Sequence, residues 1–362
     1  MRVLFISRAT LFNVRGGDTV QMENTARALR SLGIEVVIEL CNNKHIDYSI
    51  YELIHFFNII RPADILYHIY KSKLPFVVSP IYVEYDAAAK DAKSGWAQSL
   101  LALLGKHFRE YVKTIARAVK NKERIMSLRY LLLGHRRSIR DILACCSYLL
   151  PNSQSEYSRL KRDFNNAGAY RIVPNAIDTT LFHITSDECL EKEENTVLCV
   201  ARFEPRKNQL RVIQALNGTP YKVLFAGDTA PNHSAYYQAC RAAAAENISF
   251  MDHAGQEKIA ALYRRHKVHI LASWFETTGL SSLEAIACGC NVVISKNGDT
   301  EEYFGTHAFY CDPGNTASIR AAVDRAMAAR TNREFMEEIN AHYNWEVTAR
   351  ETYNVYQKVI RA

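Results

Sequence analysis

Residues 268–289 read VHILASWFETTGLSSLEAIACG, an order of apolar and polar residues that is typical of a strand, a loop and a helix in a parallel α/β sheet. The run 268–271 is short and apolar, which predicts a buried strand, and 280–287 predicts the helix that follows it. The same order recurs in both halves of the chain. The predicted strands are 3–6, 34–40, 64–67, 76–79, 196–200, 222–226, 248–251, 268–271 and 291–294. The predicted helices are 19–32, 208–216, 236–245, 256–266, 280–287 and 345–360.

The length of the chain predicts two domains. It has 362 residues, whereas a single hydrophobic core stops growing at roughly 250–300 residues. The boundary is expected near Pro174, where an extended segment turns into a loop. The first domain would hold residues 1–173 together with the last helix, at about 345–362, and the second would hold residues 174–344.

Two carboxylates flank a predicted anion site in the quoted stretch. Gly279 and Leu280 would present free backbone N–H groups at the positive end of a helix dipole, which favours a negatively charged ligand. Glu276 lies in the loop before them, and Glu284 lies about one turn inside the helix. Because carboxylates accept hydrogen bonds from hydroxyl groups, the pattern predicts a ligand with both phosphates and hydroxyls.

A second charged element, ARFEPRKN at 201–208, follows the predicted strand 196–200. Arg202 and Lys207 would lie at the carboxyl end of that strand, where open α/β sheets bind their ligands. Their charges suit a diphosphate leaving group, whose negative charge grows as the bond to it breaks. The chain contains no Asp-x-Asp pair, so no metal site is predicted and the two cations take the metal's role.

Composition places the chain among folded soluble proteins. Hydrophobic residues make up 48% and charged residues 23%, unlike a disordered chain. No apolar run approaches the roughly 18 residues that cross a bilayer, and the N-terminus does not resemble a secretory signal. The nine cysteines form no Cys-x-x-Cys pair, which predicts reduced thiols. We therefore expect a cytoplasmic protein.

Together these segments resemble the family 4 retaining glycosyltransferases of the GT-B fold (glycosyl transferases group 1), whose signature is Glu-x7-Glu preceded by an Arg…Lys pair. Gly16 and Gly17 resemble the family's N-terminal glycine loop, and 173–178 resembles the start of its second domain. The last helix resembles the element that crosses back to the first domain. The resemblance implies two Rossmann-like domains facing across a cleft, with the acceptor on the first and a nucleotide sugar on the second.

The resemblance also implies roles for individual residues. Arg202 and Lys207 would contact the diphosphate, Glu276 the hydroxyls of the transferred sugar, and Glu284 the ribose. The loop through Thr278, Gly279 and Leu280 would approach the phosphates or the sugar. Gly16 and Gly17 would contact the donor from the first domain. Arg202, Lys207 and Glu276 are the predicted catalytic residues.

The implied activity is the transfer of a sugar, with retention and without metal or cofactor, from a UDP or GDP sugar. The acceptor would be a saccharide or lipid-linked saccharide, in surface polysaccharide or glycolipid synthesis. Stretch 77–84 lacks the His that many relatives place there, which leaves the acceptor-side residue open. A nucleotide-sugar epimerase, and a protein of this fold that binds nucleotide sugar without turnover, remain alternatives.

Basic residues are concentrated in one segment. Between Lys106 and Arg140 there are eleven Lys or Arg and two Glu, in a chain whose formal charge is +7. Phe108, Val112 and Ile115 recur there at helical spacing. Such a helix is typical of proteins that lie on an anionic membrane surface, and an ordinary domain helix with a basic face is the alternative. Nucleic-acid binding is not expected, because aromatic residues are few and no known module matches.

Overall fold

The computed structural model describes residues 1–12, 16–83, 106–120, 127–165, 168–184, 192–230 and 233–361. These residues form two compact units, which divide between Asn175 and Ala176. The first unit holds the described residues within 1–82 and 93–175, together with 345–361. The second holds those within 176–344. Each unit is built on one parallel sheet.

The sheet of the first unit has the strand order β2-β1-β3-β4-β5. Its strands are β1 (Arg2–Ser7), β2 (Glu35–Leu40), β3 (Leu53–Phe57), β4 (Phe76–Ser79) and β5 (Tyr148–Leu149). Its helices are α1 (Gly17–Ser31), α2 (Pro62–Ser72), α3 (Lys106–Lys120), α4 (Leu128–Cys145), α5 (Gln154–Phe164) and α13 (Trp345–Arg361). None of the helices in the described ranges is both long enough and apolar enough to cross a membrane.

The prediction of a strand at 64–67 was wrong, because these residues lie inside α2. Pro62 occupies the first turn of that helix, where its missing N–H is not needed. Ile65, Leu66 and Ile69 then fall on one buried face. A run of four apolar residues does not distinguish a strand from one turn of a buried helix. The third strand is β3, which is buried throughout.

The last helix, α13, packs against α1 within the first unit. Its Tyr356 is fully buried, and the Tyr356 hydroxyl lies 2.6 Å from Nδ1 of His55 on β3. Nε2 of the same ring lies 2.9 Å from the Ser79 hydroxyl. Burial lowers the pKa of His55 to about 3, so the ring is neutral at pH 7. This buried polar chain fixes α13 to the sheet.

The second unit has the strand order β11-β10-β9-β6-β7-β8. Its strands are β6 (Glu193–Val200), β7 (Lys222–Ala226), β8 (Ile248–Met251), β9 (His266–Leu271), β10 (Asn291–Ser295) and β11 (Phe309–Cys311). Its helices are α6 (Gln209–Leu216), α7 (Ser234–Ala243), α8 (Gln256–Arg265), α9 (Leu280–Ala287), α10 (Thr300–Phe304), α11 (Thr316–Ala328) and α12 (Arg333–His342).

The direction of winding in this second sheet reverses between β6 and β9, which are neighbours. Strands β7 and β8 continue to one side of β6, and β10 and β11 continue to the other side of β9. The loops that leave the carboxyl ends of β6 and β9 therefore part in opposite directions and open a crevice. This is where open α/β sheets bind ligands. The charged segment 201–208 lies in the loop after β6, and Glu276 lies in the loop after β9.

We expect Tyr356→Phe to lower the free energy of unfolding by about 2 kcal/mol, because Nδ1 of His55 would be left buried without a partner. Urea unfolding at pH 7 measures the change. The matched control is Tyr353→Phe on the same helix, whose hydroxyl accepts from Gln357 and is only partly buried. Equal effects of the two substitutions would contradict the inference.

Candidate functional site

The loop after β6 carries Arg202, Glu204, Arg206 and Lys207, with a short 3-10 turn at Pro205–Lys207. Asn208 follows with φ 62°, a left-handed conformation in which Asn is enriched. Its buried side chain donates to the carbonyls of Ala272 (3.0 Å) and Pro313 (2.8 Å). Asn208 thereby holds the β6 loop against the loop that leaves β9.

Glu276, in the loop after β9, is buried and forms an ion pair with Lys207. The Lys207 Nζ lies 2.6 Å from Glu276 Oε1. Arg206 Nη1 lies 3.7 Å from the same oxygen and donates to the carbonyl of Phe275 at 2.9 Å. The structure therefore brings together two predicted residues that are distant in sequence, and adds Arg206 to them.

Glu204 connects the remaining cations. Its carboxylate accepts from Arg206 Nη2 at 2.9 Å and lies 3.9 Å from Arg202 Nη2. Arg202 is the most exposed member, with 38% of its side chain accessible, against 15% for Lys207. We call Arg202, Glu204, Arg206, Lys207 and Glu276 the charged cluster. It contains three cations and two carboxylates, so it retains one positive charge that attracts an anion.

The electrostatics of the buried pair favour its ionised form. Burial by itself disfavours the charged carboxylate of Glu276, but the neighbouring Lys207 and Arg206 charges outweigh it and hold the pKa of Glu276 below its ordinary value. Burial lowers the pKa of Lys207, while the charge of Glu276 opposes that shift. Each charge is thus tolerated in the interior only because its partner is present.

The loop after β10 supports Glu276 through its backbone. The N–H of Glu276 donates to the Asn297 carbonyl at 3.1 Å, and the N–H of Asp299 donates to the Glu276 carbonyl at 2.9 Å. Gly298 lies between these bonds with φ 103°, and a Cβ there would come within 1.9 Å of the Glu276 carbonyl oxygen. Only glycine permits this approach.

A similar contact holds the opposite side of the site. Gly227, after β7, has φ 148°, and a Cβ there would lie 2.3 Å from the carbonyl oxygen of Ala201. A glycine in the loop after β7 therefore contacts the loop after β6, and a glycine in the loop after β10 contacts the loop after β9. Close backbone approach of this kind fixes loop positions without using side chains.

The amino end of α9 follows Glu276 directly. Gly279 is its N-cap residue with φ 71°, and no side chain caps the helix there. Leu280 is its first residue and is partly buried, and Thr278 is buried with its hydroxyl 3.5 Å from that of Tyr303. The predicted N–H groups at Gly279 and Leu280 thus begin a helix whose dipole favours an anion.

Glu284 lies one turn inside α9 and differs from Glu276. Its carboxylate accepts from the Tyr263 hydroxyl at 3.3 Å. Desolvation raises the pKa of Glu284 to about 8, and the hydrogen bond from Tyr263 opposes the shift only in part. At pH 7 this carboxyl is therefore largely protonated.

Other predicted residues lie outside the charged cluster. Gly16 is the N-cap of α1 and Gly17 its first residue, both in the first unit. Gly16 has an extended backbone, with φ −148°. Among the described residues, no group of three or more His, Cys, Asp or Glu side chains is placed to hold a metal ion.

Sequence reasoning missed Glu204 and Arg206 as parts of the site, and it left open whether the stretch that contains Gly298 lines the cleft or forms a surface turn. Both lie within the quoted segment 201–208. Arg206 contacts a loop about 70 residues later in the chain, and Glu204 pairs with Arg206 and Arg202 in its own loop. Gly298 belongs to a polar stretch, NGDTEE at 297–302, that follows a predicted strand. An isolated Gly at the end of a strand was the available signal for close backbone approach.

We expect Gly298→Ala to lower the free energy of unfolding by about 3 kcal/mol and to weaken ligand binding, because the added methyl group displaces the backbone of Glu276. Denaturant unfolding measures the loss of stability. The control is Gly218→Ala, which also has positive φ (66°) but has open space around a Cβ, and should cost about 1 kcal/mol. Similar losses in both variants would show that the contact with Glu276 is unimportant.

We expect Lys207→Met to cost about 3–5 kcal/mol of stability, since it leaves the buried Glu276 carboxylate without its partner, and Glu276→Leu to cost somewhat less, since Lys207 is partly exposed. The double variant should recover most of that loss, as a double-mutant cycle at pH 7 would measure. The exposed pair Lys296–Glu301, at 2.8 Å, is the matched control, and the same changes there should cost at most about 1 kcal/mol. Additive losses at Lys207 and Glu276 would refute the coupling.

Comparison with known proteins finds a family match within the second unit. Residues 184–342 match the family described as glycosyl transferases group 1. The O-antigen chain mannosyltransferase B of Escherichia coli is 24% identical over 241 residues, which cover 61% of this chain and 63% of the relative. A glycogen synthase of Mycobacterium tuberculosis is 32% identical over 114 residues, covering 30% of this chain and 28% of the relative. The chain thus spans less than two thirds of the length of these curated relatives.

Solved structures resemble the whole chain. The sucrose-phosphate synthase of Thermosynechococcus elongatus has a TM-score of 0.74 at 17% identity, with 100% of this chain and 99% of the other covered. The Anabaena protein HepE, solved in complex with UDP-glucose, has a TM-score of 0.71 at 13% identity, with 99% and 100% covered. The predicted α/β fold of the GT-B type is confirmed by these likenesses. The family 4 label stays a prediction. The whole charged cluster lies within residues 184–342, the part of the chain that matches the glycosyl transferases group 1 family.

Proposed function

We propose that this chain is a retaining, metal-independent glycosyltransferase of family 4, with the nucleotide-sugar donor bound by the second unit. The observation that carries the proposal is the Lys207–Glu276 ion pair, at 2.6 Å, where the winding of the second sheet reverses. A cationic group and a hydroxyl acceptor are held side by side there. A nucleotide diphosphate sugar needs both, because its phosphates are anionic and its sugar carries hydroxyl groups.

Arg202 and Lys207 are the proposed diphosphate ligands. Arg202 is the accessible cation of the charged cluster, so it would meet the phosphates first. Lys207 has three N–H donors, which allows it to bind a phosphate oxygen while it keeps its hydrogen bond to Glu276. The N–H groups at Gly279 and Leu280 would add to the attraction of the anion. Gly16 and Gly17 are proposed donor contacts on the resemblance alone.

Glu276 and Glu284 are proposed to bind hydroxyl groups of the donor. The ionised Glu276 accepts only, so it would orient hydroxyls of the transferred sugar, next to Thr278. Glu284 would contact the ribose, where a protonated carboxyl can donate one hydrogen bond and accept others. Glu276 is buried and Glu284 is partly buried, which limits the competition of water for these bonds.

In the proposed reaction, the bond between the anomeric carbon and the diphosphate oxygen breaks. A bond from the acceptor oxygen then forms on the same face of the sugar. The acceptor proton passes to the leaving phosphate, which takes the electron pair of the broken bond. Arg202 and Lys207 stabilise the charge that develops on that phosphate, and pre-organised cations in a partly dry site are effective in this role.

The relatives support the choice of substrates. HepE is a structural neighbour solved with UDP-glucose, and another neighbour is named as a lipopolysaccharide outer core galactosyltransferase. A curated relative is named as an O-antigen chain mannosyltransferase. We therefore propose a UDP or GDP sugar as donor and a saccharide or lipid-linked saccharide as acceptor. The acceptor would bind on the first unit, at the cytoplasmic face of a membrane.

We expect one class among UDP, GDP and ADP sugars to raise the stability of the full chain in a thermal-shift assay, in the presence of EDTA. At a hundredfold excess over Kd the gain should be about 2.7 kcal/mol. Arg202→Gln should weaken that donor about tenfold or more, because a charge-assisted hydrogen bond is lost. Lys222→Gln, an exposed cation at the start of β7, is the control and should bind as the unaltered chain does.

Product analysis then distinguishes transfer from its alternatives. Incubation with the stabilising donor and a saccharide acceptor should yield a glycoside with the anomeric configuration of the donor, as proton NMR would show. Donor binding without any product would support a protein that binds without turnover, and an altered free nucleotide sugar would indicate an epimerase. A donor shift abolished by EDTA would refute the metal-independent site.

A further inference from the structure

An exposed apolar tip begins helix α4. Leu128 and Leu132 are 76% and 85% accessible, more than any other large hydrophobic side chain in the described ranges. Leu131, at 39%, lies on the same face, since positions i, i+3 and i+4 of a helix are neighbours. The helix is broken just beyond, at Gly134, which has φ 70° and ψ 175°. We call Leu128, Leu131 and Leu132 the leucine tip.

The leucine tip is held rigidly from its inner side. Tyr130, between the leucines, is fully buried in the core of the first unit, and its ring lies 5.4 Å from that of Tyr111 on α3. The Tyr111 hydroxyl donates to the Leu131 carbonyl at 2.9 Å. The Ser127 side chain caps the helix by accepting from the Tyr130 N–H. A rigid tip loses little conformational entropy when it binds.

The two helices at the tip are rich in basic residues. Helices α3 and α4 together carry nine Lys or Arg and two acidic residues. Both acidic residues are already paired, Glu110 with Lys113 at 2.8 Å and Asp141 with Arg129 at 2.9 Å. Arg136 and Arg137, just after the break in α4, are exposed. The surface therefore combines protruding leucines with a strong positive charge.

The exposed apolar face lies on a different helix from the one predicted from the sequence. The amphipathic face was predicted on α3, but Val112 and Ile115 are partly buried, and of the three residues named there only Phe108 is well exposed, at 52%. The outward apolar face lies instead at the start of α4. Periodicity identified the helix α3 correctly, but it does not show which side of a helix a neighbouring helix covers.

We propose that the leucine tip and the exposed arginines that follow it on α4 dock on an anionic lipid bilayer. Leu128 and Leu132 would enter the interfacial region, while Arg136 and Arg137 would bind lipid phosphates. A nucleic acid would match the charge but not the exposed leucines. A second copy of the chain would match the leucines but bring two strongly basic surfaces together. Only an anionic bilayer is complementary to both features.

Flotation of the full chain with vesicles tests the proposal. We expect binding to vesicles of phosphatidylglycerol and phosphatidylcholine, and little binding to phosphatidylcholine alone. Leu128→Gln with Leu132→Gln should weaken binding about a hundredfold, since the burial energy lost at each leucine corresponds to roughly tenfold in affinity. Leu32→Gln, at another exposed leucine (43%) of the first unit, is the matched control and should bind normally.

The charge contribution has its own pair of variants. Arg136→Gln with Arg137→Gln should weaken binding to the vesicles roughly 30-fold. Added salt should also weaken binding, because it screens the attraction between the arginines and the lipid phosphates. Arg330→Gln with Arg333→Gln removes two exposed cations from the second unit and should have little effect. The thermal shift with the donor sugar should be unchanged in all four variants, which separates lipid docking from the proposed transferase activity.

Three outcomes would overturn the proposal. The first is no flotation of the unaltered chain with the anionic vesicles. The second is flotation that survives the double leucine substitution, which would leave a purely electrostatic surface. The third is a dimer in sedimentation velocity that Leu128→Gln with Leu132→Gln disperses, since the tip would then be a contact between copies. Retention on a nucleic acid that depends on Arg136 and Arg137 but not on the leucines would overturn the proposal for the same reason as the second outcome, because it would also show a purely electrostatic surface.

Discussion

The ion pair between the partly buried Lys207 and the buried Glu276 is the constraint on which the rest of the second unit depends. Either charge would be costly in the interior without its partner. The loops after β6 and β9 must therefore keep the Lys207 ammonium and the Glu276 carboxylate within hydrogen-bond distance. The surrounding contacts serve that requirement. Asn208 ties the two loops through backbone carbonyls, Arg206 joins them again at Phe275, and Gly298 fixes the backbone of Glu276 itself. The site is therefore organised before any ligand binds.

The order of the strands explains why this pair can exist. Segments 201–208 and 275–289 are far apart in sequence, and they meet because β6 and β9 are hydrogen-bonded neighbours at the reversal of winding. On each outer side a glycine allows the next loop to approach, Gly227 against Ala201 and Gly298 against Glu276. The carboxyl ends of four strands that are adjacent in the sheet, β10, β9, β6 and β7, thus support one charged cluster. The side chains of the cluster lie on the two central loops, after β6 and β9.

Much of the fold could be predicted from sequence, because short apolar runs and helical periodicity reflect burial that is local. Strands β7 and β8 and helix α9 have the predicted bounds. The strand predicted at 64–67 failed because four apolar residues also fit one buried helical turn. The pairing of Lys207 with Glu276, and the roles of Arg206 and Gly298, depend on contacts between distant segments, which periodicity does not contain. The leucine tip was missed for the same reason, since its exposure depends on how α3 packs on α4.

The two glutamates of the Glu-x7-Glu motif show how little a motif says about protonation. Both are desolvated, and desolvation alone raises the pKa of a carboxyl group. Glu276 has Lys207 and Arg206 beside it and remains an ionised acceptor, whereas Glu284 has only the Tyr263 hydroxyl and its pKa rises to about 8. One motif therefore presents an anion and a neutral carboxyl eight residues apart. That difference suits two kinds of hydroxyl contact, because the neutral group can donate where the charged one can only accept.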